Sequence, residues 1–354
     1  MLEIASILST NNQGDVMNKV KVRNANILLC VVVFLIAILP QILIPILAKI
    51  FSIDFSELAK TNETFRIILL LIDQYVFIFI PVVIFTIVNK INIKEVFRLN
   101  PINLSAGFLT VIMAVAAWVV SIFASVIVYH IYTVVVGKPS NVMDNVIPAN
   151  MYLGLFLIAL TPAICEEALF RGIVLKAYEN RGTVKAIVIT ATLFALIHFS
   201  IIRFTGPFII AILAGYLVVK SNSIIPGILT HLTFNGLSLC IFYTAQTMPQ
   251  QPERLPTMLE YLVMLVFVAF ALLLIAGCLI GFGYLTSRRN DFSERTFIYR
   301  IFFGGAREKK EPFQKSITSI KKDLVSILSS WQIIIIILIF IYFNILEILS
   351  ILFK

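Results

Sequence analysis

Runs of about 20 apolar residues, broken by short polar stretches, divide the chain into nine segments. They lie near residues 27–50, 67–89, 106–136, 151–178, 184–201, 205–220, 224–245, 258–285 and 331–353. Leu, Ile, Val and Phe dominate them, no run alternates apolar with polar positions over its length, and most are far longer than a barrel strand. A backbone in hydrocarbon must satisfy its own hydrogen bonds, which here leaves helices. The pattern predicts an all-α, polytopic transmembrane helical bundle of eight to nine spans. The first long run starts only near Ile27, behind Glu3 and Asp15, so it reads as a retained anchor rather than a cleaved signal. The expected organisation is a tail and three spans over 1–149, a core of helices over 150–245, a further span within 246–286, a basic cytoplasmic linker over 287–323, and a last span within 324–354.

Composition sharpens this picture. Of 354 residues, 60% are apolar and 13% charged, whereas soluble domains run near half and a quarter, respectively. The formal charge of +9 would suggest a nucleic-acid surface on a soluble protein. Here 20 of the 28 basic residues fall on one side of the predicted spans and 6 on the other. This asymmetry places the N-terminus in the cytoplasm and the C-terminus outside, and it makes membrane lipid, not nucleic acid, the expected partner of the charge. The stretch Ser287 to Asp323 carries ten of these cations and reads either as a solvated linker or as a docking surface for anionic lipid or a cytoplasmic partner. Cys30, Cys165, Cys240 and Cys278 sit in separate apolar runs with no metal-ligand spacing, so no disulfide framework is implied.

Against this apolar background a charge at the centre of a span stands out. It costs about 2.5–3.5 kcal/mol, against a gain of about 0.3–0.6 kcal/mol for each Leu, Ile or Phe, and is a functional suspect by default. The fourth run contains Glu166, Glu167 and Arg171. Arg171 lies four positions after Glu167 and five after Glu166, so helical spacing pairs it with Glu167 and leaves Glu166 in need of another partner. Two of the three histidines follow: Phe194 and His198 are four apart in the fifth run, and His231 and Asn235 four apart in the seventh. Two carboxylates, two imidazoles and an amide supply a general base and neutral donors, the inventory for activating water and stabilising a tetrahedral oxyanion. Asp73 and Gln74 in the second run and His130 at the end of the third read as structural hydrogen-bonding or interfacial residues, with a water or substrate path as the alternative.

Glu166-Glu167-x-x-x-Arg171, Phe194-x-x-x-His198 and His231-x-x-x-Asn235 resemble the three motifs of the CAAX-protease and bacteriocin-processing (Rce1-like) family. These intramembrane endopeptidases include the Ras-converting prenyl-protein protease and bacterial self-immunity proteins. Each motif alone is a weak signal; all three, in order on successive apolar runs, are a strong one. The resemblance covers roughly Asn150 to Tyr243 and leaves the basic linker and the ninth run unexplained. It implies hydrolysis of a peptide bond in a membrane-associated protein or peptide at the cell membrane. By the same resemblance Glu166 and His198 activate the water, His231 and Asn235 bind the oxyanion, and Glu167 and Arg171 support them. The richness in Ile, Lys and Asn favours a bacterial setting, where leader peptides and bacteriocins are the family's typical targets, over prenyl-protein processing.

Two versions of the chemistry stay open. His198, His231 and Glu166 could supply a two-histidine, one-carboxylate zinc site, but no His-Glu-x-x-His signature is present, and a metal-free glutamate mechanism needs no further residues. A non-catalytic membrane scaffold in immunity or signalling is the alternative from another class, and a transporter is disfavoured by the absence of inverted repeats. One geometric conflict also stands: simple counting puts His198 near the outer end of its span and His231 near the inner end of its own. They meet only if a helix is displaced, bent or re-entrant, with Pro207, Pro226 and Gly227 as candidate sites.

Overall fold

A computed structural model describes residues 20–139, 147–249, 254–286 and 330–353. The basic linker expected at 287–323 lies outside them. Among the described residues eight helices are long and apolar enough to cross a membrane: α1 (Val22–Phe51), α2 (Glu63–Val88), α3 (Leu104–Val135), α4 (Met151–Arg181), α6 (Ile201–Ser221), α7 (Ile225–Gln246), α8 (Met258–Thr286) and α9 (Trp331–Leu352). Between α4 and α6 lies the shorter apolar helix α5 (Thr183–Leu196). The chain is thus a polytopic helical bundle, as the hydropathy pattern predicts.

Local chemistry marks the helix ends. The side chains of Asn62, Asn103 and Asn150 accept from backbone N–H groups of Phe65, Ser105 and Leu153, capping the first turns of α2, α3 and α4. Ser52 and Asn222 take left-handed conformations just after α1 and α6, the usual way a chain leaves a helix. Gly182, with φ of 102°, makes the tight turn from α4 into α5 that a side chain would strain.

One end of the bundle is laced by polar contacts between these ends. Asn24 at the start of α1 donates to Asn89 after α2, Asn100 donates to the carbonyl of Asn222 after α6, and Ser223 donates back to the carbonyl of Asn100. Tyr178 near the end of α4 donates to Asn26, which in turn donates to Ser330 at the start of α9. At the other end His130 of α3 meets Tyr261 of α8 at 2.6 Å, and Tyr243 of α7 donates to the carbonyl of Pro148 before α4.

Burial is unequal. Two-thirds of the apolar window of α4 is buried (67%), against 11% for α8 and for α9. The central core gathers around α4, with Leu169, Phe170, Ile173, Val174 and Tyr178 fully enclosed by α1, α2, α5 and α6. Side chains such as Val266 and Leu273 of α8 point outward, the arrangement expected where the surroundings are hydrocarbon rather than water.

Despite the different depths that simple counting gives them, His198 and His231 meet on one ring, that of Phe194, and α5, which leads to His198, is a short helix. Fourteen residues rise about 21 Å, short of the roughly 30 Å of a hydrocarbon core. The run predicted over 184–201 therefore ends as a helix at Leu196, and α6 starts at Ile201 rather than near 205. Phe199, with φ of 51°, turns the chain between them. Pro226 sits in the first turn of α7, where the missing N–H removes nothing from the helix.

Candidate active site

The site forms where α4 meets α2, α5 and α7. Helix α4 is not uniform: π-helical stretches over Leu155–Leu160 and Ala168–Val174 flank an α-helical segment, Thr161–Glu167, that carries both glutamates. Such wider turns recur at functional sites, because they re-aim side chains relative to a regular helix. Helix α2 has its own π-helical stretch, Ile72–Phe79, opposite this segment.

Glu167 is fully buried and its partners are as helical spacing predicts. Arg171 Nη1 donates to Glu167 Oε1 at 2.7 Å, while Nη2 donates to the carbonyl of Ala211 on α6. The guanidinium also stands 4.8 Å from the centre of the Phe194 ring, a cation–π contact in a water-poor setting. From α7, His231 brings Nδ1 to 3.1 Å from the same Oε1 of Glu167. Gly227, one turn earlier on α7, permits this approach: a Cβ there would lie 2.6 Å from Glu167 Oε2 and 2.9 Å from Val218 Cγ2.

Glu166 finds the separate partners its helical position requires. Gln74 Nε2 on α2 donates to its Oε1 at 3.3 Å, and His231 Nε2 stands 3.9 Å from its Oε2. His231 therefore faces both carboxyl groups, one with each ring nitrogen. Phe194 is the hub of the aromatic packing: its ring meets Phe170 at 5.0 Å, His198 at 5.3 Å and His231 at 5.5 Å. His198 holds the carbonyl of Phe194 through Nδ1 at 3.0 Å. A carbonyl only accepts, so Nδ1 carries the proton and Nε2 is left with its lone pair in the neutral ring. Among the described residues no hydrogen bond joins His198 to Glu166.

Asn235 lies one turn beyond His231, on the same face of α7. Its Nδ2 donates to the carbonyl of Ile158 at 3.0 Å. Pro162 lacks the N–H that an α-helix would return to Ile158 four residues back, and Asn235 offers that carbonyl a donor. One of its two amide hydrogens is thereby used and the other remains.

Two supporting residues were not legible as such in the sequence. Gln74, which the sequence presents as a structural hydrogen-bonding or interfacial residue or as part of a water or substrate path, donates from its amide to Glu166. Arg98, counted only as a topological cation, is 4% exposed; it donates to the carbonyl of Arg171 at 3.3 Å and pairs with Glu179. Burial pushes its guanidinium down to about 10, which leaves it charged at neutral pH. The signal available for Gln74 was its place in an apolar run; for Arg98 there was none.

The donor set does not fit a zinc ion as it stands. Among the described residues no three His, Cys, Asp or Glu side chains converge as a metal set. Nδ1 of His198 is held by a carbonyl, which leaves Nε2 free as a ligand atom; what is missing among the described residues is a set of donors converging with it.

Residues 148–237 match the family model described as Type II CAAX prenyl endopeptidase Rce1-like. No curated protein and no solved structure matches the chain. The matched segment contains Glu166, Glu167 and Arg171 of α4, His198 in the turn after α5, and His231 and Asn235 of α7. Over this segment the chain is similar to the Type II CAAX prenyl endopeptidase Rce1-like family.

Proposed function

We propose that the protein cleaves a peptide bond of a membrane-associated protein or peptide, with Glu166 as the base, and that its substrates are leader peptides or bacteriocins of its own cell rather than prenylated proteins. The observation that carries the chemistry is the pairing of Glu166 Oε2 with His231 Nε2 at 3.9 Å inside an apolar bundle, within the segment matched by the family model. The preference for leader peptides or bacteriocins rests on composition. The orientation, with the N-terminus cytoplasmic, rests on the charge asymmetry.

In this scheme Glu166 takes a proton from water, helped by the lone pair of His198 Nε2. The hydroxide oxygen bonds to the scissile carbonyl carbon, and the electron pair of the carbonyl moves to its oxygen. His231 and the unused amide hydrogen of Asn235 act as the polar groups for that oxyanion. When the tetrahedral intermediate collapses, the C–N bond breaks and Glu166 returns its proton to the leaving amine. Glu167 and Arg171 neutralise each other and hold His231 and Phe194 in place. No step is routed through a metal. Extended dialysis against chelator followed by metal analysis is expected to leave cleavage intact, and activity restored only by added zinc would overturn the metal-free scheme.

The substrate class is tested by comparing membrane and secreted peptides of wild-type cells with those of cells carrying Glu166→Gln. Accumulation of uncleaved precursors in the variant is the expected result. Identical peptide sets, with the variant still rescuing a deletion phenotype, would favour a scaffold.

A further inference from the structure

We propose that Gln74, itself held by Asp73, is a positioning residue that turns Glu166 so that Oε2 is its working oxygen, which rests on the assignment of Glu166 as the base. Gln74 sits in the π-helical stretch of α2 that packs against Thr161–Glu167. It is 8% exposed. Its Nε2 donates to Asp73 Oδ2 at 3.1 Å and to Glu166 Oε1 at 3.3 Å.

An amide nitrogen has two hydrogens, and here both are used on carboxyl oxygens. The amide oxygen, Oε1, is buried and has no hydrogen-bond partner among the described residues. A flipped amide would set that oxygen against two carboxyl oxygens, so the orientation seen is the one electrostatics selects, even though it leaves an acceptor unsatisfied. The consequence falls on Glu166. With Oε1 anchored to α2, the carboxyl plane is held and Oε2 is the oxygen that faces His231 Nε2. Asp73 takes the second N–H and so gives the amide its direction. A merely structural polar contact between α2 and α4 would join the two helices, but it would have no reason to discriminate between the two oxygens of Glu166.

The two roles separate experimentally. Gln74→Met keeps the length and approximate volume of the side chain and removes both donors. Purified wild type, Gln74→Met, Asp73→Asn and Glu166→Gln would be compared for cleavage of a quenched transmembrane peptide, for unfolding in mixed micelles, and by infrared difference spectroscopy in which the Glu166 carboxyl band is assigned by its loss in Glu166→Gln. Positioning predicts that Gln74→Met lowers kcat by about 30- to 100-fold, the scale of a misplaced catalytic group, with KM within about twofold and a folded protein. Asp73→Asn is expected to lower kcat less, by roughly three- to tenfold on the same scale. The Glu166 band should shift in Gln74→Met. A kcat within about threefold of wild type, a loss confined to KM, or an unmoved band would overturn the positioning role. Cleavage by Glu166→Gln at the wild-type rate would instead remove the assignment of the base, and the band alone would then decide whether Gln74 sets the carboxyl group.

Discussion

Replacing Arg171 by methionine isolates the electrostatic core of the site. In the native protein Arg171 and Glu167 are 2% and 0% exposed and meet at 2.7 Å. Arg171→Met removes the cation and keeps most of the side-chain volume, leaving Glu167 enclosed with His231 as its remaining polar contact. Breaking one half of a buried pair costs about 3–5 kcal/mol, because the surviving charge has lost its compensation. That is a shift of more than about 100-fold in the folding equilibrium. The double variant Arg171→Met/Glu167→Gln removes both charges, while the amide still offers an oxygen to His231, so it should recover to within about 1.5 kcal/mol of wild type. Reversible unfolding by titrating denaturing detergent into mixed micelles measures both. A single variant within about 1 kcal/mol of wild type, or a double variant no more stable than the single, would refute the claim that Glu167 is a buried charge neutralised by Arg171.

Gly227→Ala places a methyl group 2.6 Å from Glu167 Oε2; overpacking of this kind costs about 1–3 kcal/mol, and cleavage should fall as Glu167 is pushed from His231, whereas unchanged kinetics would show the contact to be slack. Asn344 of α9 accepts from the N–H of Ile201 and donates to the carbonyl of Phe199, bracketing the turn that follows His198. Asn344→Leu is therefore expected to lower kcat, and full activity would detach α9 from the site. Single cysteines at Lys94 and Glu57 should be labelled from the cytoplasmic and outer sides, respectively, by an impermeant reagent in oriented vesicles; the reverse pattern would invert the topology.

What could be read from the sequence followed from periodicity. Glu167 and Arg171 are four apart on a helix, so their pairing was legible without coordinates, and so was the isolation of Glu166 on another face. The spans were legible because apolar length is a local property. The end of α5 was not: Ile197 and Phe199 are as apolar as the residues before them, and only the left-handed turn at Phe199, bracketed by Asn344 some 145 residues later, stops the helix short of a full crossing. The partner of Glu166 was hidden for the same reason. Gln74 lies 92 residues away on α2, and no spacing rule links a π-helical turn on one span to a carboxyl group on another. Asn235 shows both sides. Its place on the face of His231 followed from the interval of four, but its bond to Ile158 depends on Pro162 in a different helix.

The central claim is that Glu166 acts as the base of a peptide-bond hydrolysis within the bundle. The most direct measurement is cleavage of a quenched transmembrane peptide by purified protein in lipid nanodiscs, wild type against Glu166→Gln, with equal folding verified by detergent titration. The account predicts turnover by the wild type and a loss of at least about 10³-fold in the variant, since the group that both takes and returns the proton is gone. Equal cleavage by the two proteins would contradict it.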